Sequence, residues 1–163
     1  MKIGELNRLP ANHFVERVGW VFEGSPWVAE RAASRRPFAS REELHAAMMA
    51  EVDRAALDEQ LALLRAHPDL GVRARMADAS EREQSAAGLD RLGPDTFDKL
   101  TRLNNCYRQR FGHPFLFAVK GSTVEDILAA LETRLNASPE AEFREALRQV
   151  NRIAGFRLET VVD

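Results

Sequence analysis

The sequence predicts an all-α fold, a single-domain compact helical bundle of about seven or eight helices over residues 1–163. Three observations carry this. Apolar residues recur every three or four positions through most of the chain. Ser-x-x-Glu pairs and Pro or Gly breaks mark where those runs start and stop. Only "PFLFAVKG" has strand-like composition, and no second run offers it a pairing partner.

The elements follow in order. Ser40 and Glu43 make a capping box ahead of "REELHAAMMAEVDRA", in which Leu44, Met48 and Val52 share a face. Leu57, Leu61 and Leu64 extend the pattern to Arg65-Ala66-His67, where Pro68 disfavours helical backbone before it. Ser80 with Glu83 reads as a second capping box opening "SEREQSAAGLDRL". Gly93-Pro94-Asp95 starts another helix, carrying Phe97, Leu100, Leu103, Tyr107 and Phe111, with Gly112 suited to the left-handed position after its end. "PFLFAVKG" then reads as a buried extended connection. Ser122 and Glu125 are expected to cap a helix with Ile127, Leu128, Leu131 and Leu135 inward, and Ser138-Pro139 to open the last one. There, Phe143, Leu147, Val150 and Ala154 form one stripe at 100° per residue, with Arg157 on it and Arg144, Arg148 and Arg152 turned away.

Composition excludes several classes. Apolar residues make up 45% and charged residues 29%, and the formal net charge is −2 with both signs interspersed. No basic field suggests nucleic acid. A lone thiol, Cys106, rules out an internal disulfide framework and fits a reducing compartment. One Cys and four scattered His do not give a common zinc spacing, so no metal is expected. No apolar run approaches the roughly 18 residues of a membrane span, and "MKIGELNRLPANHF" lacks a signal-peptide stretch. The expectation is a soluble, cytoplasmic protein with neither membrane nor nucleic-acid partner.

Several residues could carry chemistry, each with a plainer alternative. His67 closes a helix beside a stiffening proline, and imidazole titrates near neutrality, so it can move a proton either way; it could equally cap its own helix. Glu83 and Ser80 read as partners in a capping box, and Gln84 as a solvent-facing residue. His113, between Gly112 and Pro114, is a weaker candidate of the same kind, while His13 and His45 read as surface residues. Arg157, inward on the last helix, cannot shed its charge and requires an anion, from the protein or from a ligand.

Taken together, "HPDLG", "SEREQSAAGL", "LNNCYRQRFGHPFLFAVKG", "EDILAALETRLNAS" and "NRIAGFRL", with "FEGSPWVAERAASRRPF" before them, resemble the family of 2-oxo-4-hydroxy-4-carboxy-5-ureidoimidazoline (OHCU) decarboxylases. The resemblance spans nearly the whole chain and rests on the order and spacing of these pieces. It implies the last step from urate to (S)-allantoin, a homodimer, and no cofactor. By the same resemblance His67 is the catalytic histidine and Glu83 its acidic partner. Ser80 and Gln84 contact substrate, Arg157 binds its anionic or carbonyl groups, and Pro68 and Phe111 lie against the ring. Backbone groups around Phe117 and Val119 hold ureido or ring amides. The chain departs from the family in "RMADA" before Ser80, where Leu-Thr is expected, and in His113, where many members carry Phe.

This inventory suits the implied chemistry. Most decarboxylases borrow an electron sink from a cofactor, and the chain shows neither a Gly-rich phosphate cradle nor a paired acidic metal motif, with only Lys2, Lys99 and Lys120 as lysines. OHCU carries its own sink, a conjugated imine and carbonyl. Two other classes remain in view. "HPD" also marks J-domain co-chaperones, although "DRAALDEQLALLRA" lacks the basic face expected for docking. A metal-dependent hydrolase using His67, Asp69 and His113 would need ligands that flank a proline to share one ion. Trp20, Phe22 and Trp27 could be core or a dimer face.

Overall fold

A computed structural model describes residues 1–71 and 78–163. Among these residues there are nine α-helices and two short 3-10 turns, with no strand. The helices are α1 (Ile3–Asn7), α2 (Ala11–Val18), α3 (Trp27–Ala32), α4 (Arg41–Arg54), α5 (Leu57–Arg65), α6 (Asp78–Ala86), α7 (Pro94–Phe111), α8 (Val124–Arg134) and α9 (Pro139–Leu158). The expected all-α class holds, with slightly more helices because the amino-terminal part is cut into short pieces. Pro10 and Pro26 stand immediately before α2 and α3, where a missing N–H is harmless.

The described residues group into two units, Met1–Ala66 with Val150–Asp163, and His67–Gln149. In the first, Phe14, Val18, Val28, Ala29, Ala32, Leu44, Met48 and Val52 are buried on α2, α3 and α4 at the three- and four-residue spacing of helical faces. The Ser40 cap forms as expected, its hydroxyl accepting from the Glu43 N–H at 3.2 Å. The apolar run that continues to Arg65 is two helices: Ala55 and Ala56 are extended, with ψ 154° and 153°. No Gly or Pro announces that break. Leu57 consequently opens α5 exposed, and burial passes to Leu63 and Leu64.

In the second unit α7 and α8 pack around one apolar cluster, including Leu70, Leu89, Leu100, Leu103, Tyr107, Phe115, Val119, Ile127 and Leu131. Gly93 and Pro94 begin α7, and Gly112 ends it with φ +78°, its N–H donating to the Arg108 carbonyl at 2.8 Å. Residues 114–119 are neither helix nor strand and are buried apart from the half-buried Phe117. The cap of α8 shifts by one from expectation: Thr123 and Asp126 form the reciprocal box, because Thr123 offers the same hydroxyl as Ser122 one residue nearer the helix. Ser138 caps α9 by accepting from Ala141 at 3.2 Å. The stripe predicted for α9 is rotated: Glu142, Ala146, Gln149, Val150, Ala154 and Arg157 are buried, whereas Phe143 and Leu147 are half-buried. Arg144, Arg148 and Arg152 are exposed, as expected.

Candidate active site

The site is built from the turn that follows α5. With the helix ended at Arg65 and Ala66 as its cap, His67 is buried at 6% exposure and Pro68 is half-buried. The three residues after them are anchored. Asp69 accepts from Arg108 of α7 at 2.8 Å. Leu70 enters the apolar cluster, and its carbonyl accepts from Asn104 Nδ2 at 2.9 Å. Gly71 has φ +74°, and a Cβ there would lie 2.5 Å from Leu100 Cδ2. Glycine is therefore required twice over, by conformation and by space. The glycine that normally follows a helix directly is displaced four residues along, and the interval is filled by a buried imidazole on a braced backbone.

Helix α6 is bonded to this turn. Ser80, Glu83 and Gln84 are spaced to share one side of it. Ser80 and Gln84 are buried and Glu83 half-buried. Gln84 spends its carboxamide on the turn: Oε1 accepts from Gly71 N–H at 2.8 Å and Nε2 donates to the Asp69 carbonyl at 3.3 Å. This holds the Ser80–Glu83–Gln84 face against the backbone that follows His67. Ser80 lies inside α6, which already includes Asp78, so the expected capping box at Ser80 and Glu83 is not the helix start. Loss of that structural role removes the plainer reason for a serine and a glutamate at these two positions. "RMADA" falls partly outside the described residues.

The remaining candidates are distributed as follows. Phe111 ends α7 with its ring 4.6 Å from that of Tyr107. Phe117 stacks on Phe115 at 5.9 Å, and Val119 belongs to the same apolar cluster as Leu70. His113 is 2% exposed, its Nδ1 donating to the Pro114 carbonyl at 3.0 Å among the rings of Tyr107, Phe111 and Phe143. It is a structural histidine. His45 is half-buried, bonded to the Asn151 carbonyl at 2.8 Å, and His13 is exposed. In the first unit, Arg157 is 3% exposed and pairs with Glu23 at 2.7 Å, also reaching the Val21 carbonyl at 3.4 Å. The anion that its inward placement demands is thus supplied by the protein.

Sequence reading missed Glu23, Asn104, Arg108, Arg134, Glu142 and Gln149. A signal existed for the last two, which lie seven residues apart on one helical face; polar residues on a buried stripe mark connections to something else. Among the described residues no group of three His, Cys, Asp or Glu is placed to hold a metal ion. A buried His67 with Asp69 engaged by Arg108 also differs from a docking tripeptide presented to a partner.

The fold and site define a class: an all-helical protein with a buried histidine on a turn whose following backbone is braced by a polar helix face. The OHCU decarboxylase family model matches residues 7–159. A Haloferax volcanii 2-oxo-4-hydroxy-4-carboxy-5-ureidoimidazoline decarboxylase is 49% identical over 158 residues, covering 97% of this chain and 94% of that protein. A Bacillus subtilis uric acid degradation bifunctional protein is 42% identical over 97% of this chain, which spans only 32% of its length. A crystal structure of an (S)-allantoin synthase superposes with a TM-score of 0.84 at 32% identity, covering all of this chain and 55% of that one. The chain belongs to the OHCU decarboxylase family.

Proposed function

We propose that the protein decarboxylates OHCU to (S)-allantoin, the closing step of urate degradation, with residues 1–163 acting as one family domain. The observation that supports this best is the braced turn: a buried His67 whose following three residues are tied to α6 and α7 in a member of this family.

The chemistry asks little of the protein beyond placement. When the bond from C4 to its carboxylate breaks, the electron pair forms C4=C5 and the ring imine nitrogen takes up a proton. The enol then loses its hydroxyl proton as C4 becomes a carbonyl, and C5 gains a proton on one face. No external electron sink is used, so this reading is cofactor-independent. What the site supplies is orientation of the carboxylate, stabilisation of developing negative charge and control of the protonated face. His67 acts as the acid or base at the hydroxy-acid centre. Glu83 holds its tautomer or the ureido N–H groups, and Ser80 contacts substrate. Gln84 fixes the turn and contacts substrate as well, while Pro68 and Phe111 bear on the ring. Arg157 meets the anionic or carbonyl oxygens. Backbone groups of Phe117 and Val119 hold the ureido or ring amides.

The enzyme acts as a homodimer in the cytoplasm in this account. Trp20 is 38% exposed and is the candidate dimer contact. Among the described residues no helix is long and apolar enough to cross a membrane.

The test is OHCU generated in situ from urate, followed by circular dichroism. Wild type should give optically active product, and His67→Asn should leave the helical spectrum intact while the product is racemic. Stereoselective turnover by the variant would overturn the assignment.

A further inference from the structure

Beneath the segment that joins α7 to α8 lies a buried charged network that the reaction as described does not use. Glu142 of α9, 1% exposed, receives Arg134 of α8 through Nε at 2.7 Å and Nη2 at 2.5 Å, and also accepts from the Tyr107 hydroxyl. Arg134 Nη1 extends to the Leu116 carbonyl at 2.6 Å, and the guanidinium lies 4.5 Å over the Phe115 ring. Two residues further on, Gln149 Oε1 accepts from the Ala118 N–H at 3.0 Å.

Burying an ion pair is a poor way to gain stability, since desolvation offsets the attraction. What this one does is hold backbone. Leu116 and Ala118 are tied at i and i+2, and where backbone runs extended, alternate residues direct their peptide groups to opposite edges. Phe117 and Val119 occupy the alternate positions of that run. Among the described residues the N–H and C=O of Phe117 and the N–H of Val119 make no hydrogen bond, while the Val119 carbonyl accepts from Ser122 at 3.0 Å. Peptide groups in a largely buried segment need partners. A free edge of donor, acceptor and donor suits a planar amide or urea.

We propose that Arg134 and Gln149 are positioning residues for substrate recognition: they clamp the 116–118 backbone so that the opposite edge keeps the spacing that reads the substrate's ureido or ring amide groups. This rests on the decarboxylase reading and adds to it two residues that touch no substrate. Because the edge grips substrate and sets the presented ring face, its loss acts on KM and on product handedness.

Three variants test it in the in situ OHCU assay. Gln149→Leu removes the acceptor for Ala118; Gln149→Glu keeps one, and is paired with Glu145→Gln because Gln149 Nε2 donates to Glu145 Oε1 at 2.8 Å. Arg134→Lys keeps the charge beside Glu142, but a single ammonium cannot also span to Leu116. Gln149→Leu and Arg134→Lys should raise KM about tenfold or more and shift product towards the racemate, with kcat changed less. The Gln149→Glu, Glu145→Gln pair should return towards wild type. Should Gln149→Leu fail to fold, Arg134→Lys decides alone. Wild-type KM and enantiomer ratio in folded variants, or a loss confined to kcat, would overturn the clamp while leaving the decarboxylase reading intact. A wild type that makes no optically active product would remove both.

Discussion

Arg157 and Glu23 show how a buried charge can be read two ways at once. The guanidinium is matched at home by a carboxylate 2.7 Å away, which is a structural role, and the proposal gives it a substrate role as well. A double-mutant cycle separates them. Glu23→Gln or Arg157→Met alone should each lower stability by about 3 kcal/mol, since each removes one member of a buried ion pair. The pair together should recover most of that loss in urea unfolding. If Arg157 also binds substrate, the doubly substituted protein stays inactive; regained activity would confine it to the ion pair. Tyr107, the only tyrosine of the chain, offers a second probe. Burial first, and then its hydrogen bond to Glu142, push its phenol far above the ordinary value of 10.0. A raised folded-state pKa means that the neutral phenol is favoured in the native protein. Its contribution is whole below the unfolded value and is lost as pH climbs beyond about 10. Tyrosinate absorbance should therefore be absent from folded protein above pH 10 and appear with unfolding. A titration near pH 10 in the folded state would contradict this.

At the scale of elements, residues 66–71 after α5 set the backbone of the proposed site. Gly71→Ala should cost about 3 kcal/mol, combining a left-handed backbone penalty with overpacking against Leu100. Thermal unfolding measures it, and a loss below 1 kcal/mol would mean that the turn relaxes easily. Much of this element was legible in the sequence. Pro68 ended the helix, Gly93-Pro94 and Gly112 bounded α7, and Ser40 and Ser138 capped α4 and α9, because each acts through local backbone chemistry. What was not legible depended on tertiary contacts. Ala55–Ala56 breaks a helix without a breaker residue. Ser80 looks like a cap until α6 is seen to include Asp78. The α9 stripe rotated because Glu142 and Gln149 find buried partners on other elements, which hydrophobic periodicity does not register.

At the scale of the whole molecule, helical periodicity and the ordered motifs were enough to anticipate the all-α class and the family, since both are distributed along the entire chain. The site roles are of another kind. They depend on side chains brought to one turn by α6 and α7 and to one backbone run by α8 and α9, and those braces are spread over residues that carry no motif. His67 is the proposed centre of a site whose task is as much to choose a face as to release carbon dioxide. OHCU also decays unaided to racemic allantoin, so handedness separates catalysis from background where rate alone does not. The most direct measurement is the circular dichroism of product formed from fresh OHCU by wild type and by His67→Asn. The account predicts an (S)-allantoin signal from the first and none above background from the second. The same signal from both, or from neither, would contradict it.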